Sequence, residues 1–256
     1  MTNALTPVPA TRATPRISTL DRPALMRLAA AEYLNFAAML VTLKPDDWTK
    51  STECPGWDVR TMASHVLGMA EMAASIRDGS RQQRLAKKRG GVFIDSLTAV
   101  QIDERRDMTP AQIVDRFTKI GPHAARARRR APSFIRRRRM PIPQLVGDTM
   151  EDWTIGYLVD TILTRDTWMH RIDIGRAVGV APALSHDHDG ALVADVATEW
   201  AGRHGKSCQL NLTGVAGGAY IFGAGGPTLD LDAIEFVRTL SGREAGTELL
   251  AVQVPF

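Results

Sequence analysis

Residues 151–178 read EDWTIGYLVDTILTRDTWMHRIDIGRAV. Ile155, Val159 and Ile162 recur at i, i+4 and i+7, the spacing of one apolar face on an amphipathic helix. Carried on, that spacing brings Asp166, His170 and Asp173 onto the same face. An Asp and a His four residues apart project side by side from a helix. Burying a carboxylate there is costly unless something compensates it, and a metal ion does so directly. A polar helix end emerging into solvent, or a structural Asp–His hydrogen bond, accounts for this helix alone equally well.

A second segment breaks the tie. Residues 57–76, WDVRTMASHVLGMAEMAASI, place Met62, Met69, Met72 and Ile76 on one face, and His65 falls within that series. Alone, His65 reads as a satisfied core histidine. Two helices that each turn metal-competent groups inward favour a three-ligand site of His65, Asp166 and His170. Two imidazoles and one carboxylate suit zinc, and also ferrous iron, nickel or manganese. Three protein ligands leave a position open for water or substrate, as catalytic sites do.

The chain has 256 residues, 44% of them apolar and 23% charged, the composition of a soluble globular protein. No apolar run approaches the roughly 20 residues that span a bilayer, so no membrane segment is expected. Residues 1–20, MTNALTPVPATRATPRISTL, lack a basic stretch followed by an apolar one, so no secretory signal is expected, and residues 1–19 read as a disordered arm. Cys54 and Cys208 are too few for a disulfide framework, which points to a reducing cytoplasm.

The net charge of +4 is local in origin. Eight arginines lie between Arg126 and Arg139, and without them the balance is −4. Such a run attracts nucleic acid or an anionic surface. It holds only Phe134 for stacking and matches no DNA-reading motif. The reading here is a solvated, partly mobile connector, with nucleic acid not expected as a partner.

Four amphipathic helices are expected: from Asp21 towards Lys44, from Trp57 to Asp78-Gly79, from the capping box at Thr109, and over residues 151–178. They predict a bundle over residues 20–180 with a metal site between facing helices. Residues 81–107 fit a short helix or a loop. Beyond Val178, VAPALSHDHDG reads as a linker whose His186 and His188 are solvated. QLNLTG, GAYIFGAG and LLAVQVPF read as strands, and LDAIEFVRTLSGR as a helix ending at Gly242. Residues 181–256 thus form a second, smaller α+β unit, and the fold class is α+β with two domains.

Certain elements recur together in a known family. They are Trp48, the CPGW run Cys54 to Trp57, His65, an R-D-x-x-x-H-x-x-D run from Arg165 to Asp173, the ending Leu240 to Arg243, and a terminal VPF. From about Leu20 to Phe256 the chain resembles the mycothiol-dependent maleylpyruvate isomerase family, whose N-terminal domain is a DinB-like metal-binding helix bundle. The resemblance implies a divalent metal, usually zinc, on His65, Asp166 and His170, with Asp166 standing where the family normally has Glu. It also implies catalytic roles for Asp173 and Arg243, mycothiol or a similar thiol as cosubstrate, and a small electrophile as substrate. Cys54 is read as part of a loop packed near the site, not as a nucleophile. A metal-dependent hydrolase on the same bundle and a non-enzymatic binding protein remain the alternatives.

Overall fold

The computed structural model describes residues 18–256; the expected N-terminal arm therefore lies almost wholly outside the described residues. The described chain is mostly helical with two small sheets, an α+β architecture that divides into two compact units. One comprises Leu20–Ser133, Val159–Leu184 and Phe256. The other contains Phe134–Leu158 and Ser185–Pro255.

In the helical unit, α1 spans Arg22–Thr42, α2 Val59–Ala74, α3 Ile76–Arg89, α4 Phe93–Asp103 and α5 Pro110–Arg130. Asp21 caps α1 through the Ala24 amide, with Pro23 in the first turn. Thr109 and Gln112 form the expected capping box of α5. The helix carrying His65 is shorter than the sequence suggests. Ser75 ends α2 and caps α3, so Asp78 and Gly79 lie inside α3 and Ile76 is exposed. Residues 81–107, left open by the sequence, are the rest of α3 and α4.

A further helix, α8, spans Leu163–Val178. Helix α1 packs on α5, α5 on α2, α2 on α8, and α8 back on α1. This ring encloses Phe36, Leu40, Met62, Val66, Leu67, Ile113, Phe117 and Ile174. Among the described residues α1 is long and apolar enough to cross a membrane by length and composition, contrary to the expectation of no such run. Its Leu25, Leu28, Tyr33, Phe36 and Leu40 are instead buried inside this unit, and Glu32 among them is paired with Arg171 of α8.

The stripe Ile155–Val159–Ile162 is not one helical face. The short helix α6 (Ser133–Arg136), apart from Ser133, and α7 (Ile155–Tyr157) lie in the other unit, and a π turn over Leu158–Ile162 separates α7 from α8. The extra residue of a π turn shifts the helical phase. Ile155 and Val159 are accordingly only half-buried, whereas α8 is buried along most of its length. The turn is secured by Arg128, one of the run expected to be a solvated connector. Arg128 is 2% exposed and donates to the Val159 carbonyl (2.6 Å), the Thr164 hydroxyl (2.5 Å) and the Tyr33 hydroxyl (3.2 Å). The run begins as the last turn of α5, and Arg126, Arg129, Arg130, Arg137 and Arg138 are exposed as expected.

In the second unit, β1 (Gln144–Val146) pairs antiparallel with β2 (Thr149–Glu151). Residues 134–158, assigned by sequence to the bundle, group here because their polar groups are satisfied here. Glu151 bonds Arg203 and the Trp153 indole, and the Tyr157 hydroxyl bonds Glu199. Helix α9 (Ala191–His204), strands β3 (Cys208–Thr213), β4 (Gly218–Phe222) and β5 (Thr228–Asp232), and helix α10 (Ala233–Leu240) complete it. The sheet order is β4-β3-β5, antiparallel then parallel. Cys208, Leu210 and Leu212 alternate inward along β3. The expected strand at 249–256 is not formed; a 3-10 turn covers Glu248–Ala251, and the third strand is β5. His186 is exposed as expected, but His188 is buried within a π turn capped by Ser185.

Candidate metal centre

The loop before α2 sets the entrance of the centre. In Cys54-Pro55-Gly56-Trp57 the Trp57 amide donates to the Cys54 carbonyl (3.0 Å), closing a β-turn with Gly56 at φ +79°. Proline second and a positive-φ glycine third are what such a turn requires. Asp58 then caps α2 through the Thr61 amide at 2.7 Å. Two turns further on, His65 projects from α2, 5% exposed.

Asp166 and His170 come from α8, one helical turn apart. The His65 Nε2 lies 3.7 Å from Asp166 Oδ1, and the His170 Nε2 lies 3.5 Å from the same oxygen. One donor atom from each of the three residues falls within 4.8 Å of the others. The three residues that the sequence proposed as ligands are therefore brought together. Asp173 joins them from behind: its Oδ2 is 3.1 Å from His170 Nδ1, and the carboxylate is fully buried. A carboxylate on the far nitrogen of a ligand histidine fixes its ring and directs Nε2 outward. The Cys54 thiol is 4.0 Å from the same Asp173 oxygen, the position of a neighbour to the centre.

Charge at this cluster is tightly coupled. Burial pushes the Asp166 carboxyl up, but His170 and His65 beside it outweigh that and hold it well below the usual carboxylate range. Burial penalises the His170 cation, yet Asp166, then Asp173 and Cys54, raise it well above the ordinary 6.5. Without a metal, the pairing of these groups thus favours a proton on His170 beside an ionised Asp166. The donor set fits a divalent cation. Three donors converge, and Asp166 Oδ2 is buried with no hydrogen-bond partner among the described residues.

A pH dependence follows. A metal bound here would have to displace the His170 proton, because an imidazole binds only when neutral. Affinity for Zn2+ or Co2+ should rise about tenfold per pH unit from 6.5 towards the raised His170 value. In the metal-free protein the sign is opposite. The raised value contributes stability that is full below the unfolded value near 6.5 and is lost as pH rises through the folded value. Affinity that stays flat from pH 6.5 to 8 would show that His170 is not the competing base.

Arg243 lies in the other compact unit, just after α10, half-buried, with its amide on the Arg238 carbonyl at 3.0 Å. Two features of the site were not legible as such. Trp57 is a ring neighbour of both histidines, at 5.3 Å from His65 and 5.9 Å from His170. Arg171, next to His170, is a buried partner of Glu32, and no local pattern announced it.

Residues 27–175, more than half of the chain, match the family model described as the mycothiol maleylpyruvate isomerase N-terminal domain. That span includes all three candidate ligands and Asp173. A crystal structure of the mycothiol-dependent maleylpyruvate isomerase aligns with a TM-score of 0.56 at 15% identity, covering 88% of this chain and 91% of that one. A histidine-to-alanine mutant of the mycothiol-dependent maleylpyruvate isomerase aligns with the same TM-score at 14% identity, with the same coverage. These likenesses show the two-domain fold. Among curated proteins none matches.

Proposed function

The chain belongs to the mycothiol-dependent maleylpyruvate isomerase family, and from that premise we propose that it is a divalent-metal-dependent isomerase or S-transferase. Its cosubstrate is a low-molecular-weight thiol, mycothiol or a close analogue, and its substrate a small electrophile. The observation that carries the reading is the convergence of His65, Asp166 and His170 on one point inside the family-matched span. These residues would hold the cation, with zinc favoured by the donor set. The cation, when bound, would supply the positive charge that makes a thiol acidic enough to ionise near neutral pH.

The remaining work falls to the chain's own residues. Asp173 holds the His170 ring through Nδ1 and so keeps Nε2 facing Asp166. Burial of both histidines keeps bulk water from competing at the donor atoms. A thiolate delivered there would add to an electrophilic carbon. With a cis-alkene acid the adduct's single bond rotates and elimination of the thiol returns the trans alkene, whereas other electrophiles end as conjugates. Arg243 is assigned the substrate carboxylate on the family resemblance, since a planar guanidinium binds a carboxylate through two parallel hydrogen bonds.

Metal analysis with mycothiol calorimetry tests the reading. Expected are about one divalent ion per chain and thiol binding that disappears on chelation. Metal-loaded protein that ignores the thiol but hydrolyses esters or amides would move the assignment to a hydrolase. Protein that takes up no metal would leave a binding protein. Arg243→Lys keeps the charge but loses the fork, so turnover of a carboxylate substrate should fall with metal content unchanged. Unaltered turnover in both Arg243→Lys and Arg243→Ala would remove Arg243 from the mechanism.

A further inference from the structure

The two candidate histidine ligands are held in different ways. His170 has Asp173 on its Nδ1 at 3.1 Å. The Nδ1 of His65 is buried and has no hydrogen-bond partner among the described residues. A ligand histidine almost always has its far nitrogen bonded to a carboxylate, a carbonyl or water, and that bond selects the ring orientation. Around χ2 an imidazole has a broad, roughly two-fold choice. Only one of the two faces Nε2 towards Asp166, as observed at 3.7 Å. Something other than a polar contact must make that choice.

Resting on the cation reading above, we propose that Trp57 is the positioning residue for His65, doing by ring packing what Asp173 does for His170 by hydrogen bonding. The Trp57 ring lies 5.3 Å from the His65 ring at 58°, and the His170 ring stands edge-on to His65 at 5.4 Å and 89°. Tilted and edge-on contacts at these distances are favourable aromatic geometries. The Trp57 and His170 rings are themselves 5.9 Å apart, so the three rings form a mutually packed triangle that fixes the imidazole on two adjacent sides. The indole can serve because its own backbone is pinned on both sides. The Trp57 amide donates to the Cys54 carbonyl at 3.0 Å, and the Trp57 carbonyl accepts from the Thr52 amide at 2.8 Å and the Thr52 hydroxyl at 3.0 Å. The Asp58 cap then ties the turn to the helix that carries His65. In this arrangement the turn positions a ligand ring, and the Gly56 conformation that permits the turn matters to the metal centre.

The test uses Co2+, whose visible absorption reports coordination directly, titrated into the metal-free full chain. Trp57→Ala, shown folded by circular dichroism, should bind Co2+ about 10- to 100-fold more weakly, the usual effect of losing the group that orients a ligand. Its visible band should also differ from the wild-type band as the His65 ring loses its fixed orientation at the ion. Trp57→Phe should restore both affinity and spectrum, which a merely space-filling role would not require. If Trp57→Ala does not fold, Trp57→Leu keeps apolar bulk without an aromatic face and is read in the same way. A folded Ala or Leu variant with wild-type affinity and spectrum overturns the proposal. A wild-type chain that takes up neither Co2+ nor Zn2+ overturns the cation reading itself, and the wild-type titration alone distinguishes that outcome.

Discussion

His65→Ala and His170→Ala are each expected to lose metal by more than the roughly 100-fold that removing an orienting neighbour costs, while remaining folded. A three-donor site reduced to two cannot hold the ion against water and buffer. Folding should survive because the core of the helical unit consists of Phe36, Leu40, Met62, Val66, Leu67, Ile113, Phe117 and Ile174. His65→Ala also removes a buried Nδ1 that has no partner among the described residues, which offsets part of the cavity left behind. Asp166→Asn should weaken binding sharply by removing the anionic donor, and Asp166→Glu should retain the ion. Metal stoichiometry and thermal unfolding of the four variants check this. Full retention in both histidine variants, or equal affinity in wild type and Asp166→Asn, would reject the site.

The candidate ligand set was legible because each residue broke an apolar pattern on a long helix, and helical periodicity survives small errors in boundaries. His65 stood out although α2 ends at Ala74, two residues before the Ile76 that closes its apolar stripe. The reading of 151–178 reached residues that do converge, but by a partly wrong route. Ile155 and Val159 do not share a continuous face with Asp166, because the π turn intervenes. No pattern in LVDTI announces a π turn. Its stabilising contact comes from Arg128, 31 residues away in sequence, and pattern reading took that residue for solvated charge. The same limit hid the Glu32–Arg171 pair, whose partners are 139 residues apart. In the smaller unit, alternation found β3 and β4, but LLAVQVPF was apolar enough to imitate a strand. The segment TLDLD, three of whose five positions are exposed Asp or Thr, went unnoticed. Local chemistry was readable; long-range pairing was not.

Arg171→Met is expected to destabilise the helical unit by about 3–5 kcal/mol, because it strands the Glu32 carboxylate. Arg171 Nε and Nη2 bond the two Glu32 oxygens at 2.7 and 3.1 Å, and neither side chain is more than 2% exposed. Its Nη1 also reaches the Ala183 carbonyl at 3.3 Å. A buried pair is weak evidence of net stability, since an apolar pair of similar volume can do as well. Glu32→Leu combined with Arg171→Met should therefore recover most of the loss in denaturant midpoint. Stability and function separate at this point. Arg171 adjoins His170, and its fork fixes how α8 is rotated against α1, while α2 carries His65 against another side of α8. Leucine and methionine can slide where a two-bond fork cannot, so the recovered double variant should still bind Zn2+ or Co2+ more weakly than wild type. Wild-type affinity in a restored double variant would show that apolar packing alone sets the rotation of α8. A wild-type denaturant midpoint for Arg171→Met alone would show that the pair is not needed for the fold.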